Sequence, residues 1–273
     1  VQVYATSLVQ PEVAIVLPQS SQLTQLSHLA LEAQQNCVRA LYGVAQSEAY
    51  VVGEHQIDLL GHPKLILLPS PSMLDEQAWQ GLLKAVNEGA VLLVSGRFDR
   101  DPHFHGTDRA REVGIAYQPQ PLKTRYDEIE WPEGKARLVY TGQKIDILES
   151  AVLPDGKTFF EKPLGKGKIL FAALPLELNG NLQAVGQIYS YALKIAGVTK
   201  TYSTDGGSSG VLIAPARFPH ATLYVLSSET DQPGISFRDE RSRKQFSAQL
   251  QPGRSALLLI GEDGSVLASY NWK

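Results

Sequence analysis

The groups in this 273-residue chain whose types and spacing could do chemistry fall into three places. The densest is the stretch GRFDRDPHFHGTDR, which sets Asp99, Asp101, His103 and His105 at alternate positions. Alternate residues on an extended loop face one side, and imidazoles with carboxylates suit zinc or manganese. Pro102 interrupts the run, however, and no partner motif occurs elsewhere. The expectation is a solvated polar loop, with Asp101, His103 and His105 as weak metal candidates.

The second place is the end of LFAALPLE, where Glu177 is followed closely by Asn179. Parallel sheets put their ligand crevices at strand C-termini. Gln19, Ser20, Ser70, Ser95 and Arg97 also follow apolar runs, and with Glu177 and Asn179 they form a candidate crevice lining. Glycoside hydrolysis needs two carboxylates straddling the bond, one protonated and one ionised. Glu177 has no such partner in the sequence, and a Glu before a helix also reads as a capping or surface residue. No residue is assigned a catalytic role.

The third is Cys37, the only cysteine. A nucleophilic cysteine needs an exposed, activated thiolate at a tight strand-to-helix elbow. Cys37 lies instead among alanines and leucines at helical spacing, so a buried structural thiol is expected. No Gly-x-Cys-x-Gly or Gly-x-Ser-x-Gly elbow occurs. Gly165-Lys166-Gly167 has no Walker pattern and no GxGxxG follows the first strand, so a cofactor is not expected. Among the tryptophans, Trp79 falls on a core-facing helical position and Trp272 reads either way. Trp131, in the polar segment DEIEWPEG, is expected to be exposed and is the candidate for stacking on a sugar, with packing over the insertion as the alternative and preferred role. The basic run Arg238, Arg241, Arg243 and Lys244, interleaved with Asp239 and Glu240, reads as a solvated hairpin tip.

These residues hang on an alternation of strands and helices. Val13–Leu17 is a buried strand stopped by Pro18, and Ser20 and Ser21 are expected to cap one long helix with apolar positions from Leu23 through Leu26 to Val44. Tyr50–Ile57 reads as extended, Lys64–Leu68 as a third strand, and Asp75 as the cap of a helix ending at Gly89. Val91–Val94 is a fourth strand. Residues 97–168 are less regular and read as an antiparallel insertion at a sheet edge, with extended pieces at Ala136–Tyr140, Lys144–Leu148 and Thr158–Lys162. Lys168–Leu174 returns to a buried strand, and Leu182–Ala196 to an amphipathic helix. This order predicts an α/β domain over residues 1–202, a mostly parallel sheet with helices on both faces. The segment Ser203–Gly210 reads as a flexible polar linker or loop. Beyond it come only strand signals, with a hairpin turn at Asp263-Gly264, predicting a small antiparallel β-sandwich over residues 203–273.

Composition narrows the partners. With 43% hydrophobic and 19% charged residues and a net charge of −3, nothing favours nucleic acid or an anionic membrane. The longest apolar runs are strand-sized, too short to span a bilayer. One cysteine allows no intrachain disulfide, which fits a reducing compartment without excluding export. Val1 in place of Met, with no leader pattern, reads as a mature, trimmed or excised segment.

A strand ending near Pro18, then KLILLPSP, a helix and EGAVLLVSG, resembles the trimerisation domain of family 42 β-galactosidases. LGKGKILFAALPLE resembles the glycine-turn strand that closes such domains. The tail, with LYVLSSE, LQPGRSALLLI and DGSVLASY, is similar to the small β-domain that ends many glycosidases. The resemblance implies a flavodoxin-like, class I glutamine amidotransferase-like fold and a non-catalytic assembly role. The implied partners are a catalytic (β/α)8 barrel, in the same chain or another subunit, and further copies of the chain in a homo-oligomer; the irregular middle from Phe98 to Phe160 departs from the family pattern. The alternatives are a stand-alone small-ligand or carbohydrate-binding protein using the strand-end crevice, and a metal-dependent hydrolase using the Asp/His loop.

Overall fold

The computed structural model describes residues 8–24, 27–122, 124–140, 147–204, 210–231 and 234–272. They divide into two units. The first is Val13–Cys37 with Val51–Val198, and the second joins the described residues up to Glu12, Val38–Tyr50 and the described residues from Thr199 onward. This grouping is discontinuous, where the sequence suggests one cut between residues 202 and 203.

The first unit is built on strands that are apolar along their whole length, because both faces are covered. β1 (Val13–Leu17) is followed by a short helix α1 (Gln19–Gln22), a helix α2 (Ser27–Ala40), β2 (Tyr50–Gly53), β3 (Leu65–Leu68), helix α3 (Glu76–Glu88) and β4 (Val91–Ser95). The middle of the unit holds a one-turn helix α4 (Arg109–Glu112), β5 (Gln118–Pro121), β6 (Tyr126–Trp131), β7 (Gly134–Val139), β8 (Glu149–Val152) and β9 (Phe159–Leu164). β10 (Gly167–Ala172) and helix α5 (Leu182–Ile195) complete it. The main sheet runs β2-β1-β3-β4-β10-β9. β1, β3, β4 and β10 pair in parallel, with Val13 opposite Leu65, Leu65 opposite Val91 and Lys168 opposite Val91. β9 is an antiparallel edge strand joined to β10 by a tight turn. The sheet is therefore mixed. Gly165 in that turn has φ 58°, and a Cβ there would sit 2.6 Å from the Asn87 Cα, so only glycine fits.

Two local expectations need correction near the start. Ser20 and Ser21 do not cap one long helix: they lie inside α1, and α2 begins separately at Ser27. Leu26 lies outside the described residues. The extended reading of Tyr50–Ile57 holds only to Gly53, after which Glu54–Leu59 is a 3-10 turn. Glu54 links the two segments. Its carboxylate is buried and accepts the backbone N–H groups of Ser20 and, at 3.2 Å, Asp75. One side chain thus serves donors near the starts of two helices, where backbone N–H groups have no intrahelical partner. Asp75 caps α3 as expected, accepting from the N–H groups of Gln77 (2.8 Å) and Ala78 (3.4 Å), and Gly89 ends the helix at φ 131°.

Residues between β4 and β10 carry the extra antiparallel pieces, in two-stranded pairs β5–β8 and β6–β7 plus the edge strand β9. Residues 144–146 of the expected strand Lys144–Leu148 lie outside the described residues, and β8 starts only at Glu149. α4, β5, β6 and β8 carry too little apolar periodicity to be read in advance. Trp131 is not exposed: it ends β6 with 7% of its surface accessible. It lies on the same face as buried Ile129, and its ring covers Gly134 across the hairpin, where a Cβ would come within 3.0 Å.

The second unit is antiparallel throughout. β11 (Tyr202–Thr204), β12 (Val211–Phe218), β13 (Ala221–Ser228), β14 (Gly234–Asp239), β15 (Gln245–Gln249), β16 (Ser255–Gly261) and β17 (Val266–Tyr270) form sheets β11-β14-β15 and β12-β13-β16-β17. Tyr202, Ile213, Tyr224, Phe237 and Leu258 from both sheets share one core, with Trp272 packed against it. Residues 205–209 of the expected linker lie outside the described residues. Tyr202 donates its hydroxyl to the Ile213 carbonyl at 3.1 Å and the Tyr42 carbonyl at 2.5 Å, tying Val38–Tyr50 into this unit.

Candidate functional site

The C-terminal ends of β3, β4 and β10 bring three sequence-distant residues together. Pro69 stops β3, and Ser70 follows with φ 38°, an uncommon backbone for a non-glycine residue. Ser95 is the last residue of β4, and Glu177 sits in a 3-10 turn after β10. Ser70 Oγ donates to Glu177 Oε2 at 2.6 Å and Ser95 Oγ donates to the same oxygen at 2.5 Å. The Ser70 N–H donates in turn to Ser95 Oγ at 3.0 Å. Tyr189, from the buried face of α5, donates to Glu177 Oε1 at 2.6 Å, and Asn36 Nδ2 donates to the Glu177 carbonyl at 2.7 Å. The sequence places Tyr189 within the expected helix Leu182–Ala196 but holds no sign that its hydroxyl meets a carboxylate.

Glu177 is 2% exposed. Burial raises its pKa above the ordinary carboxylate value, and the hydrogen bonds from Ser70, Ser95 and Tyr189 oppose that rise without cancelling it. Cys37 is fully buried. Burial, with the neighbouring Glu177 charge adding to it, pushes the Cys37 thiol far above its ordinary value, against a hydrogen bond with Tyr189. Such a thiol is not a nucleophile at neutral pH.

The seven candidate crevice residues do not converge on one ligand space. Ser70, Ser95 and Glu177 bond to one another. Arg97 lies nearby, 11% exposed, and is bound to Asp99 at 2.9 Å and to Glu149, which also pairs with Arg100 at 3.1 Å. Ser70, Arg97, Arg100 and Glu149, with Gly96 and Pro175, line a cleft of about 60 Å³. That is the share of about two waters, against roughly 300–1,000 Å³ for small-molecule sites. Gln19 and Ser20 belong to the Glu54 turn: Gln19 Oε1 accepts from the His55 N–H at 3.4 Å and presses on Gly53. Asn179 is buried and folds back on its own turn, donating to the Leu176 carbonyl and accepting from the Asn181 N–H at 2.6 Å.

The Asp/His loop is local as well. The Asp101 carboxylate accepts the N–H groups of His103 (2.8 Å) and His105 (2.9 Å) and lies 3.2 Å from His105 Nδ1. This closes a turn with exposed imidazoles. Among the described residues no group of three or more His, Cys, Asp or Glu is placed to hold a metal ion. Trp79 is core, its indole N–H donating to Glu112 at 2.9 Å. Among the described residues no helix is long and apolar enough to cross a membrane.

No family model and no curated protein matches the chain. Solved structures do. A β-galactosidase from Bacillus circulans sp. alkalophilus superposes with a TM-score of 0.67 at 13% identity, over 91% of this chain and 41% of that one. A catalytic mutant of a GH42 β-galactosidase from G. stearothermophilus gives 0.67 at 12% identity, over 93% and 41%. The β-galactosidase of the haloarchaeon Halorubrum lacusprofundi gives 0.58 at 16%, over 93% and 40%. The chain therefore has the fold of part of these β-galactosidase structures, and it spans about two fifths of their length.

Proposed function

We propose that this chain is a non-catalytic accessory region of a larger GH42-like glycoside hydrolase, acting in assembly. The observation that carries this reading is the asymmetry of the match, in which over nine tenths of this chain corresponds to about two fifths of each β-galactosidase. The (β/α)8 barrel that would do the chemistry would lie outside the matched part, in the same polypeptide or a neighbouring subunit. The order β2-β1-β3-β4-β10 supports the finer description of the first unit as flavodoxin-like and amidotransferase-like. Its strand-end residues support a structural role, since the Ser70 and Ser95 hydroxyls are spent on Glu177. Trimer formation, or another homo-oligomer, belongs to the same reading. The strand-end crevice as a stand-alone ligand site has only the 60 Å³ cleft in its favour.

The test is to isolate the natural polypeptide and the 273-residue chain and assay both on a chromogenic β-galactoside. The natural polypeptide should be more than twice as long as this chain and should turn the substrate over, while the chain alone should not. Turnover by the chain alone, or a natural polypeptide with no barrel in it or bound to it, would overturn the reading.

A further inference from the structure

The second unit holds a cleft of about 670 Å³, within the range of small-molecule sites. Its floor includes Phe218 and buried Thr222, and its walls carry Lys200, Arg217, Arg241 and Arg243. The cations are there because two hairpin tips meet. Arg241, from the turn between β14 and β15, donates to the carbonyls of Phe218 (2.9 Å) and Pro219 in the turn between β12 and β13, and pairs with Glu262. The same β14–β15 turn holds Arg243 at φ 62°, an uncommon backbone for a residue with a long side chain. Asp239 fixes that turn by accepting from Ser242 N (2.7 Å) and Oγ (2.5 Å) and from Tyr224 at 2.6 Å. The basic run thus forms the expected hairpin tip between β14 and β15, and Asp239 anchors it.

The charges are not fully consumed. Arg217 is taken up by the buried Glu48 carboxylate, so the spare charge lies on the other cations. Arg243 spends one nitrogen on Glu240 at 2.8 Å with a side chain 68% exposed. Lys200 is exposed and has no carboxylate partner among the described residues. Solvent-exposed ion pairs are weak and exchange readily for a ligand anion. A guanidinium also offers more donors than one carboxylate uses.

We propose that this cleft binds the acidic end of a saccharide, a sugar ring bearing a carboxylate. The carboxylate would meet Arg243 and Lys200, the ring would lie over Phe218, and its hydroxyls would reach Thr201 and Glu240. The choice of a sugar body rests on the carbohydrate reading above; the choice of a negative charge rests on the cleft alone.

The experiment is calorimetric titration of the 273-residue chain with sodium glucuronate, galactose and sodium sulfate at matched ionic strength. Saturable glucuronate binding is expected, with galactose at least tenfold weaker and sulfate weaker than glucuronate. Lys200→Gln combined with Arg243→Asn should weaken glucuronate at least tenfold, and asparagine tolerates the left-handed backbone, so the melting curve should not move. Galactose binding as tightly as glucuronate would show that charge is not read. Sulfate binding as tightly would mean an adventitious ion only, and no saturable glucuronate binding would equally overturn the proposal. None of these readouts uses enzymatic activity. A natural polypeptide without glycosidase activity would therefore sink the accessory reading while leaving the cleft result as measured.

Discussion

Glu177 is the residue at which two opposing effects can be separated by pH. Burial disfavours its ionised form, three hydroxyls favour it, and burial wins, so the folded-state pKa lies above the ordinary 4.5. For an acid raised on folding, the native state holds the proton longer than the unfolded state. The contribution of this group is therefore fully present below about pH 4.5 and is lost as pH rises through the folded value. Within that window one proton gives a slope of at most about 1.4 kcal/mol per pH unit. Glu177→Gln keeps the shape and cannot ionise, so it should lack this slope. Urea unfolding at half-unit steps from pH 4 to 8 should show the two proteins nearest in stability at the acid end. The variant should then gain on the wild type as pH rises. Glu177→Leu supplies the third curve. It strips the acceptor from Ser70, Ser95 and Tyr189, and at about 1–3 kcal/mol for each buried group left unpaired it should cost roughly 3 kcal/mol or more at the acid end, a cost that shrinks against the wild type as pH rises. A wild type that gains on Glu177→Gln as pH rises would refute the reasoning, because the hydroxyls would then outweigh burial.

Three further outcomes follow from single contacts. Glu54→Ala should cost about 2–4 kcal/mol in denaturant unfolding, since it orphans the Ser20 and Asp75 N–H groups, and a loss below 1 kcal/mol would show that water replaces the carboxylate. Asp75→Ala should cost about 1 kcal/mol as an N-cap loss, with Asp75→Asn recovering most of it in the same assay. Cys37 should resist a thiol-reactive disulfide reagent in the native protein and react fully in denaturant; rapid native labelling at neutral pH would contradict its burial.

Much of the architecture is legible in the sequence because its signals are short-range. VAIVL, KLILL and VLLVS are apolar without alternation, which fits strands covered on both faces, and they appear as β1, β3 and β4 within a residue or so. Asp75 and Gly89 bound α3 through contacts within a few residues, and Asp263-Gly264 turns β16 into β17. The strand-end position of Ser70, Ser95 and Glu177 follows from the same apolar runs.

What those residues do there was decided only by the tertiary structure. Whether Glu177 faces a ligand or a packed interior depends on Ser70 and Tyr189, 107 and 12 residues away, and on how tightly the strand ends close. The partner of the Ser20 N–H at the start of α1 was likewise invisible, because Glu54, which accepts it, lies 34 residues away. Trp131 misled for the reverse reason: its polar neighbours point away on alternate positions of β6 while its own ring turns inward over Gly134. Local sequence determines backbone tendency and the apolar faces; the partners of polar groups are set by whichever distant segments the packed fold brings within hydrogen-bonding reach.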